Sequence, residues 1–78
     1  MGVEQEIELL VQEIKRLGTA IDGKTSVKFG VLVRDDQVAN IFEGLVGTLK
    51  AAKKRKVIAY SGEILLQGVS DQMDVTLL

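Results

Sequence analysis

Five cations stand within seven consecutive residues of this chain, at Lys50, Lys53, Lys54, Arg55 and Lys56. Residues 49–60 hold no carboxylate and sum to +5, whereas residues 1–48 and 61–78 each sum to −3, for a net charge of −1. A basic island between acidic flanks attracts anions, either the phosphates of a nucleic acid or the carboxylates of a protein surface. It also suits the end of a helix. There, Lys and Arg side chains bond the last free carbonyls and complement the dipole, at about 0.3–1 kcal/mol each. Capping accounts for two or three charges but not for five. Lys50, Lys53 and Lys54 are moreover neighbours at i, i+3 and i+4, where like charges repel. The cluster is therefore a candidate binding surface as well as a helix terminus.

Other chemistry has little support. The chain has neither histidine nor cysteine, so the usual neutral-pH acid–base group, the thiol nucleophile and the common zinc ligands are all missing. No glycine-rich phosphate loop accompanies its serines and threonines. A pair drawn from the eleven carboxylates would still need a cleft, and 78 residues leave no second lobe to form one. The expectation is a non-enzyme with no cofactor and no metal.

Length and 46% apolar content fit one folded domain spanning 1–78, without proline, repeats or a linker. Without cysteines the fold must rely on packing alone, as cytosolic and nuclear proteins do. No apolar run approaches the ~18 residues of a membrane span. The N-terminus lacks a signal-peptide pattern, and Glu6 stands where a myristoylation signal wants Ser or Thr. A soluble, cytoplasmic monomer away from membranes is expected.

The elements that must carry the basic cluster can be read from periodicity. Val3, Ile7, Leu10, Ile14 and Leu17 recur at steps of four and three, which predicts an amphipathic helix over 3–17. Acidic residues crowd its first turns and Lys15 and Arg16 its last, with Gly18 placed for a left-handed C-cap. Asp22-Gly23 marks a turn. In "SVKFGVLV" a short strand around Val27–Phe29 leading into a helical turn competes with a longer strand. Asp35 or Asp36 then caps a second long helix, with Val38, Ile41, Phe42, Leu45, Leu49 and Ala52 as its buried stripe. Gly44 and Gly47 lie inside it at roughly 1 kcal/mol each relative to alanine. With Ala39 and Ala51 they suggest close approach of the first helix. From Val57 the pattern becomes strands: "VIAY", "EILLQ", and the alternating Met73, Val75 and Leu77, with "VSDQ" at a hairpin tip.

Helix, short strand, helical region, long helix and C-terminal β-hairpin is the order of a winged helix, an α+β fold that serves DNA and protein partners alike. The charges disfavour DNA. A recognition helix presents its N-terminal residues to the bases, and here these include Asp35, Asp36 and Glu43. The hairpin tip carries Asp71 and Asp74. Both surfaces that should meet phosphate are acidic, and the basic cluster sits at the opposite end of the helix. "KKRK", residues 53–56, also matches a localisation signal, a pattern with many false positives.

"SVKFGVLVRDD", "IFEGLVGTLKAAKKRKV" and "GEILLQGVSDQMDVTLL", together with "LLVQEIKRLG" and "DGK", resemble the costars family along the whole chain. That family spans small single-domain proteins and the C-terminal domain of a striated-muscle actin-binding, Rho-activating protein, and this chain resembles a stand-alone member. The resemblance implies a winged-helix-like fold and a cytoskeleton-associated role in actin dynamics and cell motility. The implied partner is actin or an actin-associated protein, with no nucleic acid, no catalysis and no cofactor. The alternatives are a nucleic-acid-binding module and an adaptor docking on another protein. The resemblance carries over no site residue. The site therefore rests on Lys50, Lys53, Lys54, Arg55 and Lys56 as a partner-binding patch.

Overall fold

The structure is a computed structural model that describes residues 2–61 and 70–78. Its first element is the expected helix α1, Val3–Leu17, which buries Ile7, Leu10 and Ile14. The capping expectation fails. Gly18 is extended, at φ −85° and ψ 174°, not left-handed. Glycine is required there by proximity, since a Cβ would lie 2.6 Å from the Ile14 carbonyl oxygen and 2.7 Å from that of Ser26.

Strands β1, Thr19–Ile21, and β2, Lys24–Lys28, form a two-residue hairpin around Asp22-Gly23. Both turn residues have positive φ, 52° and 81°, as the twist of a tight hairpin demands. β1 was not legible in the sequence because three residues are too few for a periodicity. Helix α2, Phe29–Arg34, follows β2 directly, so the strand-then-helical-turn reading of "SVKFGVLV" is the one adopted.

The single long helix is corrected to two, α3 over Asp36–Ile41 and α4 over Leu45–Lys54. Phe42 is extended, and Gly44, at φ −135°, serves as N-cap of α4. Helix propensity explains the break, because glycine is tolerated at an N-cap far better than inside a helix. The expected close approach at the glycines is also absent: among the described residues, a Cβ on Gly44 or Gly47 would meet nothing within 4 Å, although α1 and α4 pack against each other. The buried stripe survives the break, with Val38, Phe42, Leu49 and Ala52 in the core and Ile41 and Leu45 packed against it.

Strands β3, Ile58–Ala59, and β4, Asp74–Leu77, pair antiparallel, a different pairing from the expected hairpin of "EILLQ" with the last strand. The segment "EILLQ" lies outside the described residues. β4 inserts between β2 and β3, giving an antiparallel sheet in the order β1-β2-β4-β3. Val27 of β2 faces Val75 of β4 across that pairing. One face of the sheet and the four helices enclose a single core around Leu10, Ile14, Phe29, Leu32, Leu49, Ile58 and Val75. The mixed helix and antiparallel-sheet class is as expected.

Candidate partner-binding surface

The basic residues gather where α4 ends and turns into β3. Lys50, Lys53 and Lys54 lie on α4, Arg55 is its C-cap and Lys56 follows; all five are exposed. The structure thus brings the whole sequence-derived cluster onto one helix terminus.

Their side chains are not what caps it. The amide of Arg55 donates to the Ala51 carbonyl at 3.1 Å, that of Lys56 to Lys53 at 3.0 Å, and that of Val57 to Ala52 at 3.0 Å. The last two bonds form the paired closure in which a residue just past the helix turns left-handed. That residue is Lys56, at φ 61°. An L-residue with a side chain pays about 1–2 kcal/mol to be left-handed, whereas glycine is at ease there. A lysine thus holds the position glycine favours, while backbone amides satisfy the carbonyls. Among the described residues, Lys50, Lys54, Arg55 and Lys56 form no ion pair. Lys53 differs from them. Its ammonium sits 4.3 Å from the centroid of the Tyr60 ring, a contact of about 0.5–1 kcal/mol at an exposed site. Tyr60 is itself buried, and burial pushes its hydroxyl pKa up.

Several charges elsewhere are engaged. Glu13, only 4% exposed, accepts from Arg16 at 3.0 Å and from the Gln37 amide at 2.8 Å. Arg16 also reaches Asp35 at 2.5 Å. Asp35 in turn accepts the Val38 amide at 3.0 Å as N-cap of α3. The Arg16 guanidinium first, and the Val38 amide second, hold the Asp35 carboxyl below the usual carboxylate range. Arg16 is correspondingly raised by its bonds to Glu13 and Asp35. On the other side Arg34 pairs with Asp71, Lys28 with Asp74 at 2.9 Å, and the Gly30 amide donates to the Asp71 carbonyl at 3.0 Å.

A family model described as Costars matches residues 2–78. The chain belongs to the costars family. It is 67% identical to the costars family protein ABRACL of Danio rerio over all of this chain and 98% of that one. Against the Homo sapiens protein of the same name the identity is 65%, with the same coverage. The solution structure of human HSPC280 protein superimposes with a TM-score of 0.89 at 64% identity, covering all of this chain and 93% of that one.

Within this costars fold the acidic residues first read as a recognition-helix tip and a hairpin wing are largely structural. Asp35 and Gln37 tie α3 to α1, and Asp71 ties the turn before β4 to α2. Reading along the chain missed the partnership of Glu13 with Gln37. Its signal was weak: Glu13 immediately precedes Ile14 of the apolar stripe, where a carboxylate is half-turned towards the core. It also missed a shallow groove of about 570 Å³ lined, among the described residues, by Gln5, Ile7, Glu8, Leu9, Val11, Gln12 and Val57. Leu9 and Val11 lie off the α1 stripe, and that was the available sign. Among the described residues, no group of three acidic or other metal-ligating side chains is arranged to hold a metal ion. No helix among them is long and apolar enough to cross a membrane.

Proposed function

We propose that this costars protein is a non-enzymatic, cytoplasmic regulator of actin dynamics and cell motility that acts by binding actin or an actin-associated protein. Family membership supports the actin connection, through the resemblance to a muscle actin-binding, Rho-activating protein. The contact surface is the α4 terminus, with Lys50, Lys53, Lys54, Arg55 and Lys56 meeting an acidic protein face. One observation carries that assignment: backbone amides close the helix, yet five cations remain exposed around the closure. Capping therefore gives no reason for their number. Such charges steer encounter and orientation more than they add affinity. The winged-helix-like order of elements does not favour nucleic acid, because Asp36 and Glu43 stay exposed on the surface that would face phosphate, while Arg16 and Arg34 are held by Asp35 and Asp71.

Cosedimentation with actin filaments tests this reading. The charge-reversed variant Lys50→Glu/Lys54→Glu/Arg55→Glu spares Lys53, which rests on Tyr60, and Lys56, whose backbone is special. Wild type should pellet with filaments, less so as salt rises and the screening length shrinks below ~10 Å at 0.1 M. The variant should stay in the supernatant. If neither pellets, direct filament binding is wrong; if both pellet equally, the basic surface is wrong.

A further inference from the structure

We infer that the partner surface extends from the basic helix terminus into the α1 groove, and that its occupant is a short amphipathic protein segment with an apolar centre and an acidic end. The inference rests on the reading of the basic cluster as a protein-binding surface, and adds the chemistry of what binds there.

The groove borders the cluster by chain connectivity. Val57 lines it, and Lys56 and Arg55 immediately precede Val57. Ile7, Leu9, Val11 and Val57 provide its apolar walls. Ile7, Leu9 and Val57 also belong to or pack against the core, whereas Val11 is part of neither group. Val11 therefore contributes an apolar surface that the described core does not use. At about 570 Å³ the groove falls within the ~300–1,000 Å³ typical of concave binding sites.

Charge sets the orientation of the occupant. Exposed Arg55 and Lys56 immediately precede Val57 in the chain, while exposed Glu8 lines the α1 side with the uncharged Gln5 and Gln12. A segment with carboxylates at one end and a cation towards the other matches this rim; the reverse arrangement places like charges together. Laying an apolar face into a groove of this kind is a common mode of peptide recognition. The left-handed backbone at Lys56 links the two parts of this surface. The turn at that residue carries the chain from α4 to Val57, so the charge and the groove wall are set by one backbone feature.

The test uses the full chain, labelled with 15N, and a synthetic helical peptide. The peptide carries leucines at i, i+3, i+4 and i+7, glutamates at one end and a lysine at the other. Its controls are oligoglutamate and the same peptide with serine for leucine. The leucine peptide should shift the amides of residues 5–12 together with 56 and 57, and bind more tightly than both controls. Val11→Glu, with an otherwise unchanged amide spectrum, should weaken it roughly tenfold or more, the equivalent of about 1.4 kcal/mol. The same variant should leave oligoglutamate binding unchanged. Shifts confined to residues 50–56, no binding of the leucine peptide, or indifference to Val11→Glu would each overturn the inference. The two readings fail separately. Filament pelleting that responds to charge reversal, with a groove indifferent to Val11→Glu, removes only the groove. Peptide binding in the groove without any filament pelleting removes only actin as the direct partner.

Discussion

The junction of α1 with α3 and the terminus of α4 are both rich in charge, and they treat it in opposite ways. At the junction each ionic group has several partners: Glu13 holds Arg16 and Gln37, while Arg16 and the Val38 amide hold Asp35. At the terminus Lys50, Lys54, Arg55 and Lys56 have no ionic partner among the described residues, and Lys56 occupies a backbone conformation that disfavours it. Where charges bond one another within the chain, they fix the packing of elements. Where like charges collect and stay exposed at a cost to the fold, an acidic partner is the compensation we propose.

The sharpest way to break this contrast is Glu13→Ala. Removing a buried carboxylate that accepts from two elements should cost about 2 kcal/mol in chemical denaturation. Glu8→Ala, on the exposed side of the same helix, should stay within about 0.5 kcal/mol. Equal effects would mean that the junction is no more structural than the surface.

Lys56→Gly should act in the opposite direction. Relief of left-handed strain, about 1–2 kcal/mol, exceeds the extra freedom glycine gives the unfolded chain, about 0.4–1 kcal/mol. A net stabilisation of about 0.5–1 kcal/mol is expected, together with weaker pelleting on filaments. A variant that is both less stable and unchanged in binding would remove Lys56 from the surface.

The smallest effect is a pH dependence. The Asp35 carboxyl is held below its ordinary value, so the folded chain favours the charged form. Its contribution is full above about pH 4, the unfolded range for aspartate, and is lost as pH falls through the lower folded-state value. Asp35→Asn should therefore flatten the acid limb of stability below about pH 4, measured by denaturation at a series of pH values. Lys54→Gln, at the other region, should leave that limb unchanged.

Much of this was legible along the chain, and the exceptions have physical causes. The α1 stripe from Ile7 to Leu17, the Asp22-Gly23 turn and the buried positions from Val38 to Ala52 follow from local spacing, which the structure keeps, whereas Val3 at the start of the stripe is exposed. The break at Phe42–Gly44 was not legible, because a core stripe reads the same through one helix or two. The capping expectation for Gly18 went astray for a related reason. Gly18 has the sequence position of a left-handed cap but serves close packing, while the left-handed cap of α4 falls on a lysine. Of the proposed surface, the five cations were legible as a cluster. The groove beside them was not, since it joins α1 to Val57 across some fifty residues of chain.

By itself the sequence determined which residues are apolar at helical spacing, where the charge concentrates, and that histidine and cysteine chemistry is absent. These are properties of composition and short-range order, and no packing is needed to state them. Only the tertiary structure decided that β4 inserts between β2 and β3, that Glu13 is buried against Gln37, and that Lys56 closes its helix in a left-handed turn. Each of these depends on groups distant in the chain, or on which backbone amides reach which carbonyls once the core has closed. The same closure separates the cations from the capping that their position in the sequence had suggested.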